Sequence, residues 1–300
     1  MTDNNPVKLL FVINPGSGNN TTDWPSLIQN YFTGRQALIH LLQLDDSCSP
    51  HLIQDSLKAF NPDRVFAVGG DGTVKLVANC LLKTSIPLGI IPAGSANGMA
   101  KELGIPSDIN EALEIAVEGV TKTIHLVKIN DELCIHLADI GFNAFVIKKF
   151  ETGTGRGMWG YIKAAWKVLW QQPKMQVEIR VDGKFIKRRA AMVVVANATK
   201  YGSGALINPE GKLDDEVFEV IVVKKISLAE IYKMMVTHLS YDPAKTEVYQ
   251  TQSLQIKSRI KAHFQVDGEY LGKVNTINAV ILPAALEVVL PRSAVPSTLS

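Results

Sequence analysis

Three times in its first hundred residues the chain passes from a short apolar segment through a glycine-rich polar turn into a helical stretch. Residues 8–13 lead into Asn14-Pro15-Gly16-Ser17-Gly18, residues 65–68 into Gly69-Gly70-Asp71-Gly72-Thr73, and residues 88–91 into Pro92-Ala93-Gly94-Ser95-Ala96-Asn97-Gly98. Short apolar runs bounded by turn residues read as buried strands, and strands alternating with helices predict a parallel sheet. In such a sheet the turns collect at the carboxyl ends of the strands, where ligands bind. The middle turn says most. Its three glycines let the backbone bend sharply and approach a ligand closely. Residues 74–82 then read as a helix, so the turn ends at a helix N-terminus, where N–H groups favour anions and phosphate above all. Asp71 adds a carboxylate suited to holding Mg²⁺ or orienting a hydroxyl, and Thr73 adds a hydroxyl donor. Taken alone, the segment also reads as a plain strand–helix turn with an Asp cap.

The same alternation covers the rest of the first 120 residues. Strands are predicted at 8–13, 37–43, 65–68 and 88–91, and helices at 24–32, 50–59, 74–82, 96–103 and 109–117. Ser107-Asp108 with Glu111 has the form of a capping box. After about Gly119 the texture becomes that of an antiparallel sheet. Runs at 121–129 and 133–137 flank Asn130-Asp131-Glu132, and runs at 176–181 and 184–188 flank Asp182-Gly183, a strong type I′ hairpin signal. Further strands are expected at 191–196, 217–223, 253–256, 263–266 and 279–282, with helices at 158–170 and 228–239. The expected organisation is a nucleotide-binding α/β domain at 1–120, a β-rich sandwich-like domain at 121–290 and a tail at 291–300.

Composition narrows the setting. No apolar run approaches the roughly 18 residues of a membrane span, and the short polar start has no signal-peptide form. Cys48, Cys80 and Cys134 are widely spaced, which suits reduced thiols in the cytoplasm, and the six histidines form no metal-binding pair. Residues 1–120 carry 7 Lys and Arg against 12 Asp and Glu, whereas residues 121–300 carry 24 against 17. A basic second half suits an anionic membrane surface, or is simply a solvated face.

NPGSG, GGDGT and PAGSANGMAKEL together resemble the diacylglycerol kinase-like lipid kinases, a family that includes sphingosine kinases and bacterial diacylglycerol kinases, and the likeness continues into the second half. The resemblance implies the NAD kinase/diacylglycerol kinase-like fold and ATP-dependent phosphorylation of a hydroxyl of diacylglycerol or a related lipid. It implies that Asn14, Ser17, Gly70, Asp71, Gly72, Thr73, Gly94, Ser95 and Asn97 cradle ATP, with Asp71 also positioning Mg²⁺. In bacterial members a matching DGE places a carboxylate in the interdomain cleft opposite GGDGT. Carried onto Asp267-Gly268-Glu269, this makes Asp267 the expected general base and Glu269 a Mg²⁺ ligand or orienting group; by spacing alone the segment is a hairpin turn. The acidic run from Leu213 through Asp214, Asp215 and Glu216 to Glu219 resembles a segment that holds a structural Mg²⁺ through the Asp matching Asp215 and backbone carbonyls, here that of Leu213. Glu216 stands where that segment usually has Gly. A solvated acidic loop is the other reading. Asn143 stands where the family often has Asp, and is given no catalytic role. Asn197 and Gly202-Ser203-Gly204 resemble a polar loop expected to line the cleft.

The expected partners are a lipid substrate and a peripheral membrane surface, at the inner face of the cytoplasmic membrane; a homodimer is compatible with this, and no nucleic acid is expected. Three of the four tryptophans fall in 158–170 on a broad apolar arc edged by Lys163 and Lys167, which suits a helix packed on the sheet, an acyl-chain cavity or a bilayer interface. Gly155 to Gly160 spells G-x-G-x-x-G, but the first Gly does not follow a strand directly and the next strand enters a hairpin, so a dinucleotide site is set aside. A sphingoid-base kinase, an NAD kinase-like enzyme and a catalytically silent lipid-binding protein remain as alternatives. NAD kinases carry an Asn-Glu pair absent here, and a silent protein is expected to have lost Asp71 or Asp267, both present.

Overall fold

The computed structural model describes residues 5–18, 22–45, 49–151, 174–181, 183–199, 206–226 and 242–292. The segments 158–170 and 228–239, the 155–160 motif, Gly202-Ser203-Gly204, Asp182 and Cys48 lie outside the described residues. The chain divides into two compact units, Met1–Ile124 with Ala284–Ser300, and His125–Pro283.

The first unit follows the predicted alternation: β1 (Val7–Ile13), α1 (Trp24–Phe32), β2 (Ala37–Gln43), α2 (Pro50–Phe60), β3 (Arg64–Gly69), α3 (Asp71–Leu81), β4 (Leu88–Pro92), α4 (Gly98–Glu102) and α5 (Ile109–Glu118). The sheet is parallel in the order β4-β3-β1-β2, with Leu10 opposite both Val65 and His40. Residues Leu9 to Ile13 and Val65 to Val68 are buried, as expected of strands covered on both faces, whereas the edge strand β2 alternates and leaves Leu38 exposed. Phe11 stacks on Phe66 and tilts against Phe32, which anchors α1 to the sheet. Asp23 caps α1 by accepting from Ser26 N, and Asp108 caps α5 by accepting from Asn110 N and Glu111 N. Val288 then returns to pair with Leu88 in parallel, so the sheet takes a strand from the far end of the chain.

The second unit is antiparallel. Its elements are β5 (Val120–Ile129, which crosses from the first unit), β6 (Glu132–Cys134), β7 (Leu137–Gly141), α6 (Phe142–Glu151), β8 (Met175–Val181), β9 (Lys184–Ala190), β10 (Met192–Ala196), β11 (Phe218–Val223), β12 (Thr246–Thr251), β13 (Ser253–Val266) and β14 (Glu269–Leu290). The strands run β12-β11-β10-β7-β13-β14, with β8 and β9 branching from β13. β13 serves both layers: residues 254–258 pair with β8, and 264–266 pair with β7. Against β14, residues 258–261 stand opposite Asn275 alone, a bulge that redirects the strand as sandwiches require where a strand changes layers. The core gathers Val127, Ile179, Val193, Val220, Ile256, Phe264 and Ile277 from both layers, while α6 covers the other face of β7, β10 and β11 through Phe142 and Val146.

Candidate active site

The three glycine-rich turns form one cross-tied assembly in the first unit. Asn14, just past β1, accepts from Gly16 N through its Oδ1 (2.9 Å) and donates from Nδ2 to Thr73 Oγ1 (3.1 Å), joining the first turn to the second. Asp71 opens α3, and its two carboxylate oxygens accept from Gly98 N and Met99 N, each at 2.9 Å, joining the second turn to the third. Asn97 has left-handed backbone (φ 50°) and closes its own loop, accepting from Gly94 N and donating to Gly94 O, both at 2.8 Å. The second and third turns touch backbone to backbone. A Cβ at Gly94 would stand 2.4 Å from the Gly70 Cα, a separation no side chain tolerates.

Helix α3 starts at Asp71, three residues earlier than its apolar period suggested. Thr73 N and Val74 N already donate to Gly70 O, so the Asp71 and Gly72 N–H groups precede the helical ladder. These are the donors available to an anion, because the N–H groups opening α4 are taken by Asp71. Beside the turns lies a groove of about 730 Å³ lined by Ser17, Gly18, Gly94 and Ser95 with Trp24 and Gln43. All nine residues expected to cradle a nucleotide therefore belong to one assembly or its rim. Trp24 and Gln43 were not singled out in the sequence, since neither lies in a glycine-rich turn.

The second unit holds the other expected residues. Asp267-Gly268 is a two-residue turn with φ of 52° and 87°, and Val266 pairs with Glu269 across it, the geometry of a type I′ hairpin. The Asp267 carboxylate accepts from His136 N at 2.9 Å and from Ile135 N and Leu137 N at 3.2 Å, with the Cys134 thiol alongside. Glu269 begins β14 as an exposed residue. Behind the turn, Gln265 accepts from Gly268 N and donates to Asp139, a buried carboxylate that also accepts from Ala144 N and Asn143 Nδ2 at the start of α6. The Asp139–Gln265 link was missed because no local motif signals it.

The acidic run is not one cluster. Glu219 points into the interior of the unit, where Asn208 and Gln250 donate to it and burial pushes its carboxyl above the usual range. Asp214, Asp215 and Glu216 are exposed. Glu216 adopts φ 58°, so the loop makes the left-handed turn that glycine would make more easily. The loop is organised around His125: its N–H donates to Leu213 O at 2.8 Å, and its Nδ1 accepts from Glu216 N at 3.2 Å. Burial pushes the His125 imidazole below its usual pKa, against the pull of Asp215, Asp214, Asn197 and Glu216. Asn197, expected at a cleft, is instead fully buried, with its amide donating to Ile135 O and His125 O; its polar side chain ties backbone together. No three His, Cys, Asp or Glu side chains converge as a metal-binding group among the described residues. The Leu213 carbonyl and the carboxylates of Asp71, Asp215 and Glu269 are the hard oxygen donors that Mg²⁺ prefers, and each oxygen keeps lone-pair capacity beyond the bonds given above.

Residues 8–129 match the family described as "Diacylglycerol kinase catalytic domain", and residues 138–290 match the "YegS C-terminal NAD kinase beta sandwich-like domain". A diacylglycerol kinase of Bacillus subtilis is 30% identical over 220 residues, covering 70% of this chain and 72% of that protein. An uncharacterized protein of Synechocystis is 30% identical over 239 residues; the match covers 76% of this chain and about half (54%) of that relative. Among solved structures, a diacylglycerol kinase of Bacillus anthracis superposes with a TM-score of 0.74 at 21% identity, over 96% of this chain and 98% of that one. An NAD kinase of Archaeoglobus fulgidus in complex with ATP superposes at 0.57 with 16% identity, over 95% of both chains. The fold is therefore the one expected. Among the described residues no helix is long and apolar enough to cross a membrane.

Proposed function

The chain belongs to the diacylglycerol kinase family, and on that footing we propose that it transfers the γ-phosphoryl group of ATP to a hydroxyl of diacylglycerol or a related lipid alcohol. The observation that carries this reading is the cross-tied assembly around Asp71, in which side chains from three successive turns bond to one another and leave helix-start N–H groups unspent. Those N–H groups, with Thr73 and the Ser17 and Ser95 hydroxyls, suit the phosphates, and the close approach of Gly70 and Gly94 keeps side chains out of their way. Mg²⁺ when bound would supply charge neutralisation and would be held by Asp71 in the first unit; Leu213 and Asp215 in the second unit would hold a separate structural ion.

Phosphoryl transfer depends on positioning and charge neutralisation more than on covalent help. The acceptor oxygen forms a bond to the γ-phosphorus, the bond to the bridging oxygen of ADP breaks, and the hydroxyl proton passes to a carboxylate. The 267–269 turn offers two. Three backbone N–H donors hold Asp267 in place. Glu269 is exposed and stands at the end of a turn that Asp267 fixes. We assign proton acceptance to this turn, with Asp267 anchoring it and Glu269 the better-disposed acceptor.

The test is incubation of the purified protein with labelled ATP and, separately, diacylglycerol, phosphatidylglycerol, sphingosine and NAD. Label in the diacylglycerol product is expected. Label only in sphingosine or only in NAD would overturn the acceptor assignment, and no label anywhere would overturn the kinase reading.

A further inference from the structure

The bulge in β13 carries an unusual surface. Alternation along the strand buries Leu254, Ile256, Ala262, Phe264 and Val266, so Ile260 stands at an inward-facing position by parity. The bulge turns it outward instead, and it is 44% exposed. Its neighbours Arg259 and Lys261 are exposed as well, as are Lys257 before the bulge and Lys273 on β14. Among the described residues none of these four cations has an ion pair, whereas Lys187, Arg188, Lys224 and Lys245 of the same unit each meet a carboxylate. Ile260, Lys261 and Lys273 also border a cavity of about 280 Å³ with Phe142, Phe145 and Met175 in its wall. An exposed aliphatic side chain between unpaired cations, bordering a cavity walled in part by aromatic rings, has the amphipathic character of a bilayer-contacting element.

We propose that the bulge 259–261, with Lys273, docks the second unit on an anionic lipid surface. The cations meet headgroups, each contributing at the membrane surface, and Ile260 enters the boundary between headgroups and acyl chains. A bulge suits this task because it projects side chains beyond the sheet without breaking the strand on either side. The surface does not depend on which hydroxyl is phosphorylated. Binding is measured without ATP, so failure of this proposal and failure of the kinase reading are separate results.

The experiment is co-sedimentation with vesicles of phosphatidylcholine, with and without phosphatidylglycerol. Wild-type protein should prefer the anionic vesicles, and added salt should weaken that preference. The triple variant Arg259→Gln, Lys261→Gln, Lys273→Gln should bind anionic vesicles on the order of 10²-fold more weakly, at about fivefold per charge. Ile260→Ser should weaken binding several-fold even at high salt. A control removing two exposed cations of β9, Lys184→Gln with Arg189→Gln, should change little. Equal losses in the control and the triple variant would reduce the effect to net charge and overturn the proposal, as would wild-type binding by the triple variant. Comparable binding to heparin, unaffected by Ile260→Ser, would make the partner a soluble polyanion and overturn the bilayer assignment. All variants alter exposed residues, and unchanged unfolding midpoints verify that each is folded.

Discussion

Asp71 and Asp267 are both aspartates held by backbone N–H groups, but they reach those groups by different routes. Asp71 finds its partners 27 and 28 residues ahead, at the next turn of the same strand–turn–helix series. Asp267 finds its partners 130 to 132 residues behind, in the segment that leads from β6 into β7. Each strand and helix of the first unit already points its turn toward the others, and Asp71 adds a tie to a framework that exists without it. In the second unit the tie itself holds the hairpin tip to the 135–137 backbone. A residue of the first kind can be altered at little cost in stability; one of the second kind cannot.

The largest expected effect tests the first half of that contrast. Asp71→Asn removes a charge at nearly constant volume, and the amide keeps one acceptor for the N–H groups of Gly98 and Met99. Turnover should fall by about 10³-fold or more, in keeping with loss of the carboxylate that holds the charge-neutralising Mg²⁺ in phosphoryl transfer, while the unfolding midpoint moves by only a few degrees. A near-normal kcat would dismiss Asp71 from the chemistry, and a collapse of the fold would erase the distinction between the two aspartates.

Next comes a pair of variants in the hairpin. Glu269→Gln should lower kcat by about 10²- to 10⁴-fold, the span for a positioned proton acceptor, with little change in stability. Asp267→Asn should lower activity and also destabilise the protein by about 1–3 kcal/mol, since an amide donor then faces backbone donors that lose their carboxylate. The checks are steady-state kinetics beside denaturant unfolding of each variant. Loss of kcat in Asp267→Asn with unaltered stability would return the base role to Asp267 and remove its anchoring role.

The smallest effect concerns acid sensitivity of the second unit. Partial burial pushes the Glu247 carboxyl up, but bonds from Lys224, Tyr249 and Arg188 outweigh it and hold it at about 2, against a usual 4.5. A lowered folded-state pKa means the stabilisation is complete above about pH 4.5 and is lost as pH falls toward 2. Unfolding midpoints followed from pH 5 to pH 2.5 should therefore drop more steeply in wild type than in Glu247→Gln. Parallel slopes would show that this cross-strand tie between β9, β12 and the residue after β11 adds nothing measurable.

The strands of the first unit were legible to within a residue or two, because a buried strand ending in a glycine-rich turn leaves a strong local trace. Helix α6 was missed. It starts directly at Phe142, and Asp139, which caps it, sits inside the preceding strand where it reads as a strand residue. β12 was missed because Thr246–Thr251 has no apolar/polar alternation, its Val248 and Tyr249 being adjacent, and it buries only Thr251. β13 read as two short strands because its bulge interrupts the pattern at 258–261. The nine expected nucleotide residues do converge, since spacing along a parallel sheet brings successive turns together. Asn197 was misplaced because an asparagine in a polar loop and one buried against two carbonyls look alike in sequence.

By itself the sequence determined the alternating architecture of the first 120 residues, the place of the glycine-rich turns and the hairpin at Asp267-Gly268, all features written in periodicity and turn chemistry over a few neighbouring residues. Only the tertiary structure decided which backbone groups occupy each carboxylate, that Glu219 leaves the acidic run for the interior, that Ile260 turns outward, and that Val288 returns to the first sheet. Those outcomes depend on which distant segments share one layer, and local pattern carries no record of a partner 130 residues away.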